Sequence, residues 1–288
     1  MPNLYVSLNS FKGQGAANLA LGSNDARLVA LIDTISRQAE NYCGHHFYSL
    51  TQIRYFSGNG LDILPLPDNW DLIAITTLKE DEDGDSTFET TWAAADYHLY
   101  PYDAQPTGDI GRARPYHKLE VNQATNGTKG SFSIGQRRFE LTGKWGYCES
   151  TEATGATINE GAQYSSSDTT LTVSDGTKIS IGDTLMIETE QIYVKDQANV
   201  GGADFTVTRG INGTTAAAHA DATAISRILY PLPVVEAVYM QASRLWTRRA
   251  SGFANNLGFA ETGIVRPWTG LDRDVKELLD QYRLLVVA

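Results

Sequence analysis

Cys43, His45 and His46 stand within a four-residue stretch, and imidazole beside thiolate is metal-ligand chemistry. Neighbouring side chains rarely converge on one ion, however, and no second pair stands at zinc spacing. They read as loop histidines at a helix end. The run "DEDGD" from Asp81 has the carboxylates of a calcium loop, but its glycine comes two positions early and the distal glutamate is missing. It reads as a solvated hairpin tip. "GQGAAN" from Gly13 departs from the dinucleotide fingerprint at its last glycine and follows no parallel-sheet strand. No P-loop, HExxH or GxSxG motif occurs, and the N-x-T triplets at Asn126 and Asn212 carry meaning only in a secreted chain. In "TRGINGTTAAAHADATAI", from Thr208 to Ile225, acid–base catalysis by His219 would need partners that this stretch itself lacks. The small residues around it suit a connector that crosses the end of a β unit, with His219 packing or capping. The expectation is therefore of no catalytic residue, no cofactor and no metal.

Two stretches are better suited to binding. Trp246, Arg248 and Arg249 are of the types that anchor protein interfaces. The alternative places Trp246 in the core and both arginines in solvent. Leu284, Leu285, Val286 and Val287 form an unbroken apolar run whose valines favour extended chain. Such a run can add a strand to another protein's sheet, or tuck back on its own subunit.

With 288 residues, 42% of them hydrophobic, the chain can bury a substantial core in one large domain or two smaller ones. No window approaches the ~18 apolar residues of a membrane span, and the opening residues lack a signal peptide's basic start and apolar centre. Two cysteines suggest buried thiols in a reducing, cytoplasmic setting. The net charge is −11. Residues 1–150 hold 12 basic against 18 acidic side chains, 151–228 hold 4 against 10, and 229–288 hold 7 against 6. So acidic a chain is unsuited to gripping DNA phosphates, though it could line a path along which DNA slides.

The elements that must position these residues follow from periodicity. Leu28, Leu31, Ile32, Ile35, Ala39 and Tyr42 form one helical face, with Ser23 or Asn24 to cap its start and Gly44 beyond its end. Residues 50–148 are short apolar or alternating runs broken by Gly, Pro, Asn and Asp, the pattern of strands and turns. After a Ser/Thr/Gly-rich stretch at 151–167 comes a strongly β-patterned unit. Val235, Val238, Tyr239, Ala242, Leu245 and Trp246 then share a helical face, and so do Leu271, Val275, Leu278, Leu279 and Tyr282, with Thr269 and Asp272 at capping-box spacing. Helices at both ends of a chain need each other to bury their apolar faces. The predicted fold class is α+β: a helical host domain with β hairpins, 1–150 and 229–288, with an all-β, sandwich- or barrel-like domain of 151–228 inserted.

"YVSLNSFKG", "DARLVALIDTISRQAENYCGHHFY", "ASRLWTRRASGF" and "DRDVKELLDQYR" resemble, in order and spacing, the head–tail connector (adaptor) proteins of tailed bacteriophages. The resemblance covers residues 4–56 and 233–285 well and the strands between loosely. The stretch "LTVSDGTKISIGDTLMIETEQIYVKD" with "FTVTRGINGTTAAAHADATAI" resembles a small β module of phage virion proteins, an insert that typical connectors lack.

The resemblance implies a helical core carrying β hairpins, assembled in the host cytoplasm into a ring of twelve subunits in the virion neck. One face of the ring would meet the portal protein, through Leu284 to Val287, and the other the tail or a stopper or tail-terminator protein. Genomic DNA would pass through the lumen without specific binding. No membrane is involved. Two rivals stand beside this: another tail or baseplate protein whose β module binds a surface glycan, and a wall hydrolase, for which no spacing proposes a carboxylate pair.

Overall fold

Apolar periodicity and turn chemistry decide where the chain bends in the computed structural model, which describes residues 3–13, 25–67, 70–124, 127–199, 201–249 and 270–284. Helix α1 spans Leu8–Gly13 and α2 spans Asp25–Cys43. Leu28, Ile32, Ile35 and Ala39 of α2 are buried, as their spacing requires. Gly44 ends α2 in the left-handed region (φ +87°), its N–H donating to the Glu40 carbonyl at 2.7 Å. Helix α3 is Leu232–Arg248, and its buried residues are Val234, Ala237, Val238, Gln241, Ala242 and Trp246, which take in Val238, Ala242 and Trp246 of the predicted stripe. Val235, Tyr239 and Leu245 flank these, half-buried. Helix α4, Arg273–Asp280, is shorter than its apolar pattern, with Leu271 and Tyr282 packing from beyond its ends. Asp272 is itself the N-cap, accepting from the Arg273 N–H at 2.6 Å. Thr269, Ser23 and Asn24, predicted as caps, lie outside the described residues.

The helices share one core with the N-terminal segment. Leu4, Tyr5, Val6, Leu8 and Phe11 pack with Leu28 and Ile35 of α2, Val234 and Val238 of α3, and Val275 and Leu279 of α4.

The strands of the first half make a second core. β1 (Leu50–Gly58), β3 (Leu72–Glu80), β4 (Thr90–Trp92) and β7 (Gly135–Trp145) form an antiparallel sheet in the order β1-β7-β3-β4. β2 (Ile63–Pro65), β5 (Tyr97–Tyr100) and β6 (Lys118–Val121) form another, ordered β2-β6-β5. Phe56, Leu64, Leu72, Trp92, Leu119, Phe132, Phe139, Leu141 and Trp145 are buried together among these strands. The expectation of a helical host domain is therefore corrected. Three antiparallel sheets dominate the described residues, and the four α-helices are few and mostly short. Residues 50–148 are not hairpins hung on helices, because their inward faces bury large aromatic and aliphatic side chains against one another.

β8 (Ser150–Thr157), β9 (Thr170–Thr172), β10 (Thr184–Ile187), β11 (Glu190–Gln197), β12 (Asp204–Thr208) and β13 (Ala224–Leu229) form the third sheet, ordered β8-β13-β10-β11-β12-β9. Its two end strands meet. Ile158 bridges Val173, and the Ser174 N–H donates to the Thr157 carbonyl at 2.9 Å. The sheet thus curls on itself around Leu171, Ile187, Ile192, Val194, Phe205, Val207 and Ile225, pairing edges that would otherwise stay open.

This unit is joined tightly to the rest. Tyr193, Ile211, Ile228 and Tyr230 contribute to the core of the helices. The Leu8 N–H donates to the Ile181 carbonyl at 2.9 Å, the Thr51 N–H to the Asn212 carbonyl at 2.8 Å, and Gln191 Nε2 to Ser49 Oγ at 2.8 Å. Gly213 (φ +75°) lies against Thr51 so closely that a Cβ would fall 2.0 Å from the Thr51 carbonyl oxygen. Only glycine fits there.

Candidate functional site

The structure separates the three potential metal ligands at the end of α2. Cys43 Sγ faces the Leu279 carbonyl at 3.8 Å, His45 Nδ1 pairs with Asp71, and His46 Nδ1 meets the Tyr48 carbonyl at 2.9 Å. Burial pushes the Cys43 and Cys148 thiols up to about 12 and His46 down to about 4, so both thiols and this imidazole are neutral at physiological pH.

The predicted interface residues also find positions. Trp246 is buried in the core of the helices, and the Arg249 guanidinium carbon stacks 3.8 Å from its ring centroid. Arg248 is engaged as well. Of the apolar run, Leu284 alone is described. Its N–H donates to the Cys43 carbonyl at 2.9 Å and its side chain lies over Gly44. Leu285, Val286 and Val287 lie outside the described residues.

The "DEDGD" run does form the tip joining β3 to β4, and there Asp81, Asp83, Asp85 and Glu89 bring carboxylate oxygens within 4.8 Å of one another. These are the residues that could hold a divalent cation. Asp81 is already committed, its oxygens accepting from the Gly84 N–H at 2.6 Å and the Ser86 N–H at 3.0 Å. Those backbone donors, with Arg138 nearby, outweigh burial and hold the Asp81 carboxyl below its ordinary range. Asp83, Asp85 and Glu89 are exposed.

A buried ionic network, which sequence reasoning missed, closes the β unit. Arg209 grips Glu190 through Nε and Nη2, both at 2.7 Å, and both side chains are almost wholly enclosed. The Gly210 and Ala217 N–H groups donate to the same carboxylate at 2.9 and 3.0 Å. His219 packs here, as its position suggested, with Nε2 2.8 Å from Glu190 and Nδ1 2.7 Å from Glu188. Burial alone would raise the Glu190 carboxyl, but the donors from Arg209, Ala217, His219 and Gly210 bring it down to about 2. The arrangement consumes every polar group it gathers in holding the Thr208–Ile225 connector.

A cavity of about 590 Å³ offers uncommitted chemistry instead. It opens between the loop that follows β5, the turn after β7 and the end of α4, with Asp103, Gln105, Arg112, Arg114, Tyr147 and Tyr282 in its walls. The Tyr147 and Tyr282 rings meet edge to face at 5.2 Å. Arg112 touches only the exposed Asp109, at 3.9 Å, and Arg114 has no ion-pair partner among the described residues. Two guanidinia facing a polar cavity can take a carboxylate or another planar anion. Nothing in the local sequence flags this, since its walls come from three distant segments.

No family model matches the chain, and no curated protein does. Among solved structures it aligns with a chain from the "neck of empty GTA particle computed with C6 symmetry". The alignment covers 100% of this chain and 95% of the other, at 12% identity and a TM-score of 0.42. At that score it does not establish a shared fold.

Proposed function

We propose that the chain is a structural protein of the virion neck, a head–tail connector subunit that builds a twelve-fold ring under the portal. The observation that carries this is the gathering of the segments that resemble connectors. Residues 4–11, α2, α3 and α4 are separated by most of the chain, yet they pack into one core around Leu8, Ile35, Val238 and Leu279. Segments alike in order and spacing are thus neighbours in space as well. We assign no catalytic residue: the buried ionic network has a structural task, and the titratable groups at the end of α2 face separate partners.

In this role Leu285 to Val287 dock onto the portal, with Leu284 anchoring the run on its own subunit; the opposite face meets the tail or a stopper protein, and DNA threads the lumen without specific binding. No described helix is long and apolar enough to cross a membrane. Negative-stain microscopy of the purified protein, alone and mixed with portal, tests the proposal. Rings that stack coaxially on the portal are expected. A protein that stays dispersed with portal present, or that binds host cells, would favour the tail or baseplate alternative.

A further inference from the structure

We propose that the acidic β3–β4 tip of one subunit inserts into the Arg112/Arg114 cavity of the next copy of the same chain. The inference rests on the ring reading above, and it names the contact that would build the ring.

Three observations lead to it. First, the charges are complementary and exposed. Asp83 and Asp85 are exposed at the tip, with no ion-pair partner among the described residues, and Arg114 is equally unpaired in the cavity. Second, the tip is held in shape before binding. Asp81 accepts from Gly84 and Ser86, the Thr87 N–H donates to Asp85 at 2.7 Å, and Arg138 Nη1 donates to the Asp81 carbonyl at 2.9 Å. A pre-ordered hairpin loses little entropy on docking. A cavity of about 590 Å³ is also large enough for several side chains.

Third, the two features lie at opposite ends of one ladder. β3 pairs with β7 from Leu72↔Trp145 to Glu80↔Phe139. The tip follows Glu80, whereas Tyr147 of the cavity follows Trp145. β3 bulges twice along this ladder, and the six residue steps of β7, at ~3.3 Å each, place them roughly 20 Å apart. A subunit therefore cannot fill its own cavity, but each copy carries a plug at one end and a socket at the other. Such a contact is heterologous, the kind that propagates head to tail and closes into a ring.

Charge reversal tests this on the full chain. Arg112→Glu/Arg114→Glu changes exposed side chains, so its circular dichroism and melting temperature should match the unaltered protein. Asp83→Arg/Asp85→Arg also removes the acceptors of the Asp85 and Thr87 N–H groups, and Asp83→Asn/Asp85→Asn, which keeps them, separates lost charge from a loosened tip. Mass photometry at low salt should show self-association of the unaltered chain, weakened at least tenfold in each variant. Mixing the two variants should restore it, since every socket then meets a plug of opposite charge. Rings that persist in both variants would overturn the contact and leave the neck reading intact. Loss of portal binding with rings unchanged would assign the socket to a partner instead, and also overturn it. An unaltered chain that never self-associates, even on portal, would remove the neck reading itself.

Discussion

Arg209 meets Glu190 through two parallel hydrogen bonds, Nε to Oε1 and Nη2 to Oε2, each 2.7 Å long. Both side chains are almost fully enclosed, so neither charge can fall back on water if the other is removed. Arg209→Met should cost about 3–5 kcal/mol, the usual effect of breaking a buried pair from one side. Arg209→Lys should recover part of that, since it keeps the charge and loses the fork. Urea denaturation at neutral pH measures both. An Arg209→Met midpoint equal to that of the unaltered protein would show the pair to be dispensable.

Two buried carboxyls in the β unit titrate in opposite senses. Glu190 is held at about 2, below its ordinary 4.5, so its contribution is fully present above pH 4.5 and is lost as pH falls towards 2. Asp183 is raised by burial from 3.8 to about 6, against the pull of Arg227 and the Ser180 N–H. The folded state then keeps a proton that the unfolded chain releases, and stability declines as pH rises from 3.8 to 6. Urea midpoints collected across pH 2–7 should show the decline flattened in Asp183→Asn and the acid-side rise unchanged. Parallel curves for the two proteins would argue against any role for Asp183.

Gly213 tests the junction between the β unit and β1. Gly213→Ala must put a Cβ where the Thr51 carbonyl lies, in a left-handed backbone. Gly155→Ala and Gly161→Ala share the positive φ (+80° and +68°) but have no atom within 4 Å of the new Cβ. The two controls should lose about 1 kcal/mol each from backbone strain alone, and Gly213→Ala more, by roughly 1–3 kcal/mol of overlap. Equal losses at all three sites, read by thermal melting, would mean that the junction yields without penalty.

Deleting Leu285 to Ala288 should leave the melting temperature nearly unchanged, because Leu284 keeps its bond to Cys43 and its place over Gly44. The same deletion should abolish docking onto purified portal. Normal docking by the truncated chain would remove these residues from the portal contact.

Much of the local structure was legible in the sequence, and little of the long-range assembly was. Leu28, Ile32, Ile35 and Ala39 announce α2 because a helix repeats within its own length, and Gly44 announces its end for the same reason. Alternation likewise marks β12. That β1 would pair with β7, some ninety residues on, is not written in either strand, and this is why the first half read as hairpins on helices. Gln241, though buried on the face of α3 that Val238, Ala242 and Trp246 mark, was missed because it counts as polar in any pattern. It is turned inward by the Asp272 N–H, which donates to its Oε1 at 3.3 Å. The Arg112/Arg114 socket stayed invisible for a related reason: Tyr147 and Tyr282 are 135 positions apart and meet only after folding.

The core that joins residues 4–11 to α2, α3 and α4 also dictates an order of events during synthesis. The ribosome delivers Leu8 and Phe11 long before Val238 and Leu279, the partners that enclose them. The strands from β1 to β7, and then those from β8 to β13, hold complete sets of pairing partners earlier. Nascent chains should therefore carry two formed β units while the part of α2 that meets the last helices still waits for them. α3 and α4 complete the cover of that face. Limited proteolysis of stalled nascent chains ending near Leu229 should cut within α2 and spare both β units. Protection of α2 at that length would show that it finds a partner sooner.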